Sequence, residues 1–190
     1  ITRMLRETPF AVVIDATHPY AASITESLYR ACRETGTEYL RLLRQSSQQA
    51  EDVVCVENTA AAAAFLERTE GNILLTTGSK ELSSYSTITG FAQRVYARVL
   101  PMDASLAACR EAGLKAAHII AMQGPFSEEM DLATLRFADA AWMVTKDGGD
   151  AGGFPAKVSA TRKAGAGLVV VGRPPQREGL PFAAVLDVLC

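Results

Sequence analysis

Short apolar runs alternate with segments of helical periodicity along most of this chain. The runs are rich in β-branched residues, which is typical of strands. Most are apolar at consecutive positions, as expected of parallel strands that are covered by helices on both faces. The predicted strands are 11–15, 39–43, 53–56, 73–76, 94–100, 118–122, 141–145 and 168–171.

Helical patterns fill the intervals between these runs. They lie near 20–35, 59–68, 104–112, 127–137, 154–164 and 181–186. Alternation of strands and helices predicts an α/β fold with parallel sheets and right-handed crossovers.

The start of the chain and one polar stretch indicate the domain organisation. The first residues, ITRMLRETPF, look like the end of a helix that leads into a strand, and the chain begins at Ile1 rather than Met. We therefore expect an upstream segment. Residues 44–52, RQSSQQAED, are polar and lack apolar periodicity, so we place a boundary there. Residues 1–44 are expected to be the remaining part of an N-terminal α/β domain, and 45–190 a C-terminal α/β domain.

Composition narrows the function classes. The 190 residues are 48% apolar and 21% charged, as in ordinary globular proteins. A net charge of −2 and the lack of a basic stripe interleaved with aromatics argue against nucleic acid as a partner. No apolar run approaches the roughly 20 residues of a membrane span, and the first residues do not resemble a signal peptide. We expect a cytoplasmic protein.

The four cysteines are scattered, without a Cys-x-x-Cys pair or a nearby histidine. This spacing argues against a disulfide framework and against a zinc site, so we expect reduced thiols and no bound metal. Neither a Ser-His-Asp order nor a motif of paired carboxylates is evident.

The segments that follow the strands carry the candidate chemistry, because ligands of open parallel sheets bind beyond the carboxyl ends of the strands. Four of these segments are unusual: DATHPY (15–20), TTGSKEL (76–82), QGPFSEE (123–129) and TKDGGDAGG (145–153).

In DATHPY, Asp15 or Thr17 is a candidate cap of the following helix, and Pro19 suits its first turn. That interpretation leaves His18 unexplained. A histidine at a strand end can donate a hydrogen bond or transfer a proton near neutral pH.

TTGSKEL allows two interpretations. Ser79 is a candidate N-cap of a short helix, which needs no ligand. Alternatively, the threonines, Gly78 and Lys80 offer hydroxyl, backbone N–H and cationic partners to an anion.

QGPFSEE differs because Glu128, Glu129 and Asp131 occupy the first turn of the next helix, where they repel phosphate. Gly124 is expected either to let the backbone approach a flat ligand covered by Phe126, or to serve a simple turn.

The glycine-rich segment matches neither the G-x-G-x-x-G pattern nor a P-loop. Its helix carries Lys157, Arg162 and Lys163 and has no acid between 154 and 165, so its N-terminus is open to an anion. We favour a binding loop over the alternative of a simple surface loop.

Taken together and in this order, the strand ends resemble the precorrin-6A reductase family of the cobalamin pathway, including its cobalt-precorrin-6A branch. The matching segments are IDATHPYA (14–21), LTTGSKEL (75–82), GPFS (124–127), VTKDGGDAGGFPAK (144–157) and GRP (172–174).

The resemblance implies two Rossmann-like domains that use NADPH or NADH to reduce a tetrapyrrole. Hydride moves to one macrocycle carbon and a proton to its neighbour. The family normally opens with a glycine-rich turn that this sequence lacks, so the first domain is expected to be incomplete at its N-terminus.

On this resemblance we assign candidate site residues by role. The proton donor is expected among Lys146, Asp147 and His18, with water as the alternative. The cofactor is expected to contact Thr77, Gly78, Lys80, Gly124, Pro125, Phe126, Thr145, Gly148 and Gly149. The substrate is expected to contact Asp15, Thr17, Arg98 and Lys157.

Cations near strand ends suit a substrate with many carboxylates. They are Arg41, Lys80, Arg94, Arg98, Lys146, Lys157 and Arg173.

Two other functions remain open at this point. One is a tetrapyrrole enzyme without nucleotide, resembling uroporphyrinogen-III synthase. The other is a nucleotide-binding module without turnover. The sequence does not choose between NADPH and NADH, or between cobalt-containing and cobalt-free substrates.

Overall fold

A computed structural model describes residues 1–44, 52–148 and 153–189. Within these ranges the helices are α1 (Thr2–Glu7), α2 (Ala22–Thr35), α3 (Thr59–Leu66), α4 (Leu82–Tyr85), α5 (Phe91–Arg94), α6 (Asp103–Glu111), α7 (Glu128–Phe137), α8 (Phe154–Ala164) and α9 (Phe182–Leu189). The strands are β1 (Val12–Asp15), β2 (Glu38–Arg41), β3 (Val53–Val56), β4 (Asn72–Leu75), β5 (Val95–Val99), β6 (Ile119–Ala121), β7 (Ala140–Lys146) and β8 (Gly167–Val171).

The prediction of an α/β fold with parallel sheets is confirmed. Each predicted strand coincides with an observed one, and the ends differ by at most two residues. The four-residue helices α4 and α5 were not predicted, because a single turn is too short to show apolar periodicity.

The chain divides into two compact units. The first consists of Ile1–Ser46 and Arg173–Cys190, and the second of Ser47–Gly172. This division differs from the expected single boundary, which assigned everything after residue 44 to one domain.

Backbone pairing explains why the C-terminal segment belongs to the first unit. Leu180 forms a parallel bridge with Leu42, its N–H donates to the Arg41 carbonyl (2.8 Å), and its carbonyl accepts from the Leu43 N–H (2.8 Å). Pairing of residues so far apart in sequence has no local signal in the chain.

The first unit is built on β1 and β2, which pair in parallel from Val12 opposite Glu38 to Asp15 opposite Arg41. Its buried apolar core contains Leu5 of α1 and Ala31 and Cys32 of α2.

The second unit is a six-stranded parallel sheet with the order β3-β8-β7-β4-β5-β6. Helices α3 to α6 cover one face and α7 and α8 cover the other. Successive residues of β4 contribute to opposite cores: Ile73 and Leu75 to one, Leu74 to the other. Burial on both faces explains the continuous apolar runs in the sequence.

The strand order creates a switch point in the middle of this sheet. From β4 the chain continues outward to β5 and β6, whereas from β7 it continues in the opposite direction to β8. Neighbouring strands with oppositely directed connections leave a crevice beyond their carboxyl ends, which is where open α/β sheets bind ligands. This rule predicts a ligand site between the loops that follow β4 and β7.

Candidate functional site

The loop after β4 forms one side of the switch point. Thr76 ties the loop to β7, because its N–H (2.9 Å) and hydroxyl (2.8 Å) both donate to the Val144 carbonyl. The hydroxyl of Thr77 is buried beside the buried phenol of Tyr85, and its hydrogen bond opposes the rise in the pKa of Tyr85 that burial causes. Gly78 has a φ of 88°, which favours glycine, and a Cβ placed there would meet nothing within 4 Å. The backbone of Gly78 therefore faces open space just after a strand end.

Ser79 does not cap a helix, so that interpretation of TTGSKEL is wrong. Gly78 is the N-cap of the 3₁₀ turn Ser79–Glu81, and α4 begins after Glu81. The hydroxyl of Ser79 instead donates to Ser105 of α6 (3.3 Å).

The end of β7 forms the other side of the switch point. Lys146 is its last residue, and its Nζ lies 2.8 Å from Oε1 of Glu81. Oε2 of Glu81 accepts a hydrogen bond from the Thr59 hydroxyl at the start of α3 (3.1 Å). One carboxylate therefore joins the loops that follow β3, β4 and β7.

Thr145 is 1% exposed, so its side chain is part of the protein interior.

A second group of charged residues lies beside β5 and β6. Arg98 of β5 and Asp131 of α7 form an ion pair at 2.7 Å, with side chains 3% and 1% exposed. Lys157 of α8 lies close enough to respond to both: burial lowers the pKa of its ammonium, and Arg98 lowers it further, while Asp131 opposes the change. We call Arg98, Asp131 and Lys157 the charged cluster.

Phe126 packs on the charged cluster. The Arg98 guanidinium carbon lies 3.9 Å from the centroid of the Phe126 ring, a cation–π contact. A Cβ at Gly124 would lie 3.0 Å from the same ring, so the space beside this glycine is occupied by Phe126. The Gly124–Pro125 peptide bond is cis. Acids occupy the first turn of α7, as predicted, but Asp131 points inward to Arg98.

In the first unit, Asp15 is buried in a dense network at the end of β1. Its carboxylate pairs with Arg41 (2.7 Å) and accepts from the Tyr39 hydroxyl (2.8 Å) and the Thr17 N–H (3.0 Å). Burial raises the pKa of Asp15, but hydrogen bonds from Thr17 and Tyr39 outweigh it and hold the pKa below its usual value. The Thr17 hydroxyl accepts from Arg41 (2.9 Å) and lies 3.0 Å from that of Thr25.

Neither Asp15 nor Thr17 caps the next helix, so that interpretation of DATHPY is wrong. α2 begins at Ala22, and its N-cap, Ala21, provides no side-chain hydrogen bond. His18 is exposed in the intervening turn, with its ring tilted against Tyr20 at 5.4 Å between centroids.

A small cavity of about 280 Å³ opens beside this turn, within the first unit. The first turn of α2 and a C-terminal segment line it: Pro19, Ala22, Thr25, Glu26, Pro175, Gln176 and Arg177. Its volume is near the lower limit for small-molecule pockets.

The structure thus distributes the predicted site residues over three places. Thr77, Gly78, Lys80, Thr145 and Lys146 belong to the loops and strand ends around the switch point, and Asp147 and Gly148 directly follow Lys146. Gly124, Pro125 and Phe126 lie with Arg98 and Lys157. Asp15, Thr17 and His18 lie in the first unit. Gly149 lies outside the described residues.

Sequence reasoning missed two carboxylates, Glu81 and Asp131, as partners of the candidate cations. Glu81 belongs to a motif singled out in the sequence, but nothing in the motif indicates that it pairs with Lys146. Asp131 was interpreted only as a residue of a first helical turn. Both pairings connect elements far apart in the chain.

The described part of the chain contains no group of three or more His, Cys, Asp or Glu side chains suited to a metal ion. No helix in 1–44, 52–148 or 153–189 is long and apolar enough to cross a bilayer.

The doubly wound sheet, with hydroxyls, a glycine and lysines around its switch point, defines a Rossmann-like α/β protein with a candidate ligand crevice. The family model described as precorrin-6x reductase CbiJ/CobK matches residues 1–189. The chain belongs to this family.

Individual relatives agree with this assignment. The chain is similar to the cobalt-precorrin-6A reductase of Methanothermobacter thermautotrophicus, with 37% identity over 92% of this chain and 58% of the relative. It is similar to the enzyme of the same name from Priestia megaterium, with 31% identity over 100% of this chain and 75% of the relative. A solved structure, CobK precorrin-6A reductase, superposes with a TM-score of 0.79 and 26% identity, covering 99% of this chain and 76% of that one. The chain thus spans between about three fifths and three quarters of these proteins.

Proposed function

We propose that the protein reduces a corrin-ring precursor, precorrin-6A or cobalt-precorrin-6A, with NADPH or NADH in cobalamin biosynthesis. The observation that carries this proposal is the match of the reductase family model to residues 1–189. The proposal includes a cytoplasmic location, since Cys32, Cys55 and Cys109 are free thiols.

The switch point supports a nucleotide site. The space beside the α-carbon of Gly78 is open. This opening fits a ligand that brings polar atoms close to the backbone. Lys80 is exposed on the same loop, so phosphate groups have a cationic partner nearby.

The reduction needs one hydride and one proton. When bound, the reduced nicotinamide supplies a hydride to one carbon of a macrocycle double bond and is oxidised, and the neighbouring carbon takes a proton. Lys146, Asp147 and His18 are the proposed sources of that proton, with water as the alternative. The protein itself has to hold the reacting carbon of the macrocycle against the nicotinamide and to exclude competing reactions.

The remaining candidate residues have supporting roles in this proposal. Lys157 of the charged cluster suits the peripheral carboxylates of a tetrapyrrole, whereas the side chain of Arg98 is 3% exposed and already pairs with Asp131. Asp15 and Thr17 hold the loop that carries His18, because they tie the end of β1 to Arg41 and Tyr39.

Calorimetric titration with NADPH and with NADH tests the nucleotide part of the proposal. We expect saturable binding of one of them, and absorbance should then show its oxidation only when precorrin-6A or cobalt-precorrin-6A is added. Absence of binding to both nucleotides would favour the synthase-like alternative. Binding without substrate-dependent oxidation would favour a module without turnover.

Alanine variants test the proton donors. Lys146→Ala and His18→Ala are each expected to slow macrocycle reduction more than they weaken nucleotide binding, and the variant that removes the general acid should lower kcat about a hundredfold. Lys163→Ala is the matched control. It removes an exposed lysine of α8 that pairs with Glu128 of α7, and the variant should retain full activity. Full turnover by both test variants would exclude both side chains as the acid.

A further inference from the structure

Glu81 bonds to both Lys146 and Thr59 at the switch point. Oε1 lies 2.8 Å from Lys146 Nζ, and Oε2 accepts from the Thr59 hydroxyl at 3.1 Å. Its side chain is 32% exposed and that of Lys146 is 18% exposed, so the pair is partly shielded from water.

The topology makes this pair more than a surface contact. Glu81 follows β4 and Lys146 ends β7, and these strands are the neighbours between which the connections reverse. The carboxylate is itself held from a third direction by Thr59, at the start of the helix that follows β3. The flexible side chain of Lys146 is thereby held at the carboxyl end of β7 by an acid that is itself held by Thr59.

We propose that Glu81 is a positioning residue for Lys146 in the reductase reaction, an inference that rests on the function proposed above. Glu81 holds the ammonium of Lys146 in one place, where Lys146 meets the bound substrate. Glu81 itself contacts neither macrocycle nor nucleotide, so its whole contribution passes through Lys146.

This role predicts that changes at Glu81 lower kcat and leave the binding of the nucleotide nearly unchanged. Glu81→Gln keeps the size of the side chain and its ability to accept from Thr59, but removes the charge that holds the ammonium. We expect kcat to fall about tenfold, as for a misplaced reacting group, while nucleotide Kd changes less than about twofold. Glu81→Asp keeps the charge one methylene away, and we expect it to recover part of that loss.

A double-mutant cycle with Lys146→Met tests whether the effect passes through the lysine. In the Lys146→Met background, Glu81→Gln should have no further effect on kcat/KM, because interacting residues are not additive. Glu67→Gln is the matched control: Glu67 also accepts two hydrogen bonds from a loop, at Thr89 N and Oγ1 (both 2.7 Å), but at the amino edge of β4. This variant should retain the kcat of the parent.

Acylation of lysines, followed residue by residue with mass spectrometry, provides a readout that does not depend on turnover. Loss of the Glu81 carboxylate should raise the rate of Lys146 acylation at least about twofold, because a protecting ion pair is lost. The rate at Lys115, an exposed lysine, should not change.

The outcomes separate this inference from the proposed function. If the parent protein oxidises nucleotide with substrate but the Glu81→Gln and Lys146→Met effects multiply, Glu81 acts independently of Lys146 and only this inference fails. Unchanged kcat in Glu81→Gln has the same consequence. If the parent binds no nucleotide and reduces no macrocycle, the proposed function fails and the positioning role fails with it, even if the acylation rate shows that the ion pair exists.

Discussion

At the residue scale, buried charges occur in this protein as close pairs. Asp15–Arg41 and Arg98–Asp131 each have an N–O distance of 2.7 Å, and all four side chains are at most 3% exposed. Burying a charge alone costs several kcal/mol, whereas a paired charge recovers much of that cost. Removing one partner is therefore expected to be far more damaging than removing an exposed charge.

Asp15 gives this expectation a pH dependence. Its pKa in the folded protein is below that of an unfolded chain, about 3.9. A lowered pKa means that the carboxylate contributes stability above the unfolded value, and that this contribution is lost as pH falls through the folded pKa. Asp15→Asn should therefore lower the unfolding free energy at pH 7 by about 3 kcal/mol and reduce the acid-dependent loss of stability below about pH 4.

Urea unfolding followed by circular dichroism at pH 7, 5 and 3 measures both effects. Glu7→Gln is the control in the same unit, because its partner Arg3 is 88% exposed and the pair should contribute about 0.5 kcal/mol or less. Equal pH profiles for Asp15→Asn and the parent would contradict the proposed role of the Asp15 network.

At the element scale, the helices of the second unit begin in different ways. α3 has a side-chain cap, because Asn58 Oδ1 accepts from the Ala61 N–H at 2.9 Å. α8 begins after Gly153 without a side-chain cap and without an acid in its first turn. The first arrangement stabilises a helix, whereas the second leaves its positive end unneutralised by its own side chains.

The cap of α3 is testable. Asn58→Ala should lower the unfolding free energy by about 1 kcal/mol, because it removes the acceptor of an N–H at the helix start. Asn58→Asp keeps an acceptor oxygen and should be within about 0.5 kcal/mol of the parent. Urea titration of both variants makes the comparison, and equal losses would show that the cap contributes nothing.

At the scale of the whole molecule, the two units differ in whether they are formed by one continuous segment of the chain or by two. The second unit is one continuous segment, Ser47–Gly172, whereas the first needs both Ile1–Ser46 and Arg173–Cys190. Both core clusters of the second unit lie within its own segment. A unit with its own core is expected to fold alone.

We therefore expect residues 47–172, produced alone, to unfold cooperatively in urea. Trp142 packs edge-on against Phe65 at 5.1 Å between centroids, so a near-ultraviolet dichroism signal should report native packing. Residues 1–46 alone lack the pairing of Leu42 with Leu180 and should show no cooperative transition. A non-cooperative 47–172 segment would contradict the independence of the second unit.

The sequence by itself determined the type and place of most elements and the motifs at their ends. These are local properties: apolar runs reveal strands buried on both faces, and helical periodicity reveals the covering helices. TTGSKEL and TKDGGDAGG are recognisable as the segments that follow two such strands, without knowledge of which strands are neighbours.

Only the tertiary structure decided what those motifs face. The order of strands placed the ends of β4 and β7 side by side, and so brought Glu81 to Lys146. Packing of α7 on the sheet brought Asp131 to Arg98, and a bridge at Leu180 returned the C-terminal segment to the first unit. Each of these contacts joins residues more than thirty positions apart, where pairing depends on how the whole chain packs and leaves no periodic trace in the sequence.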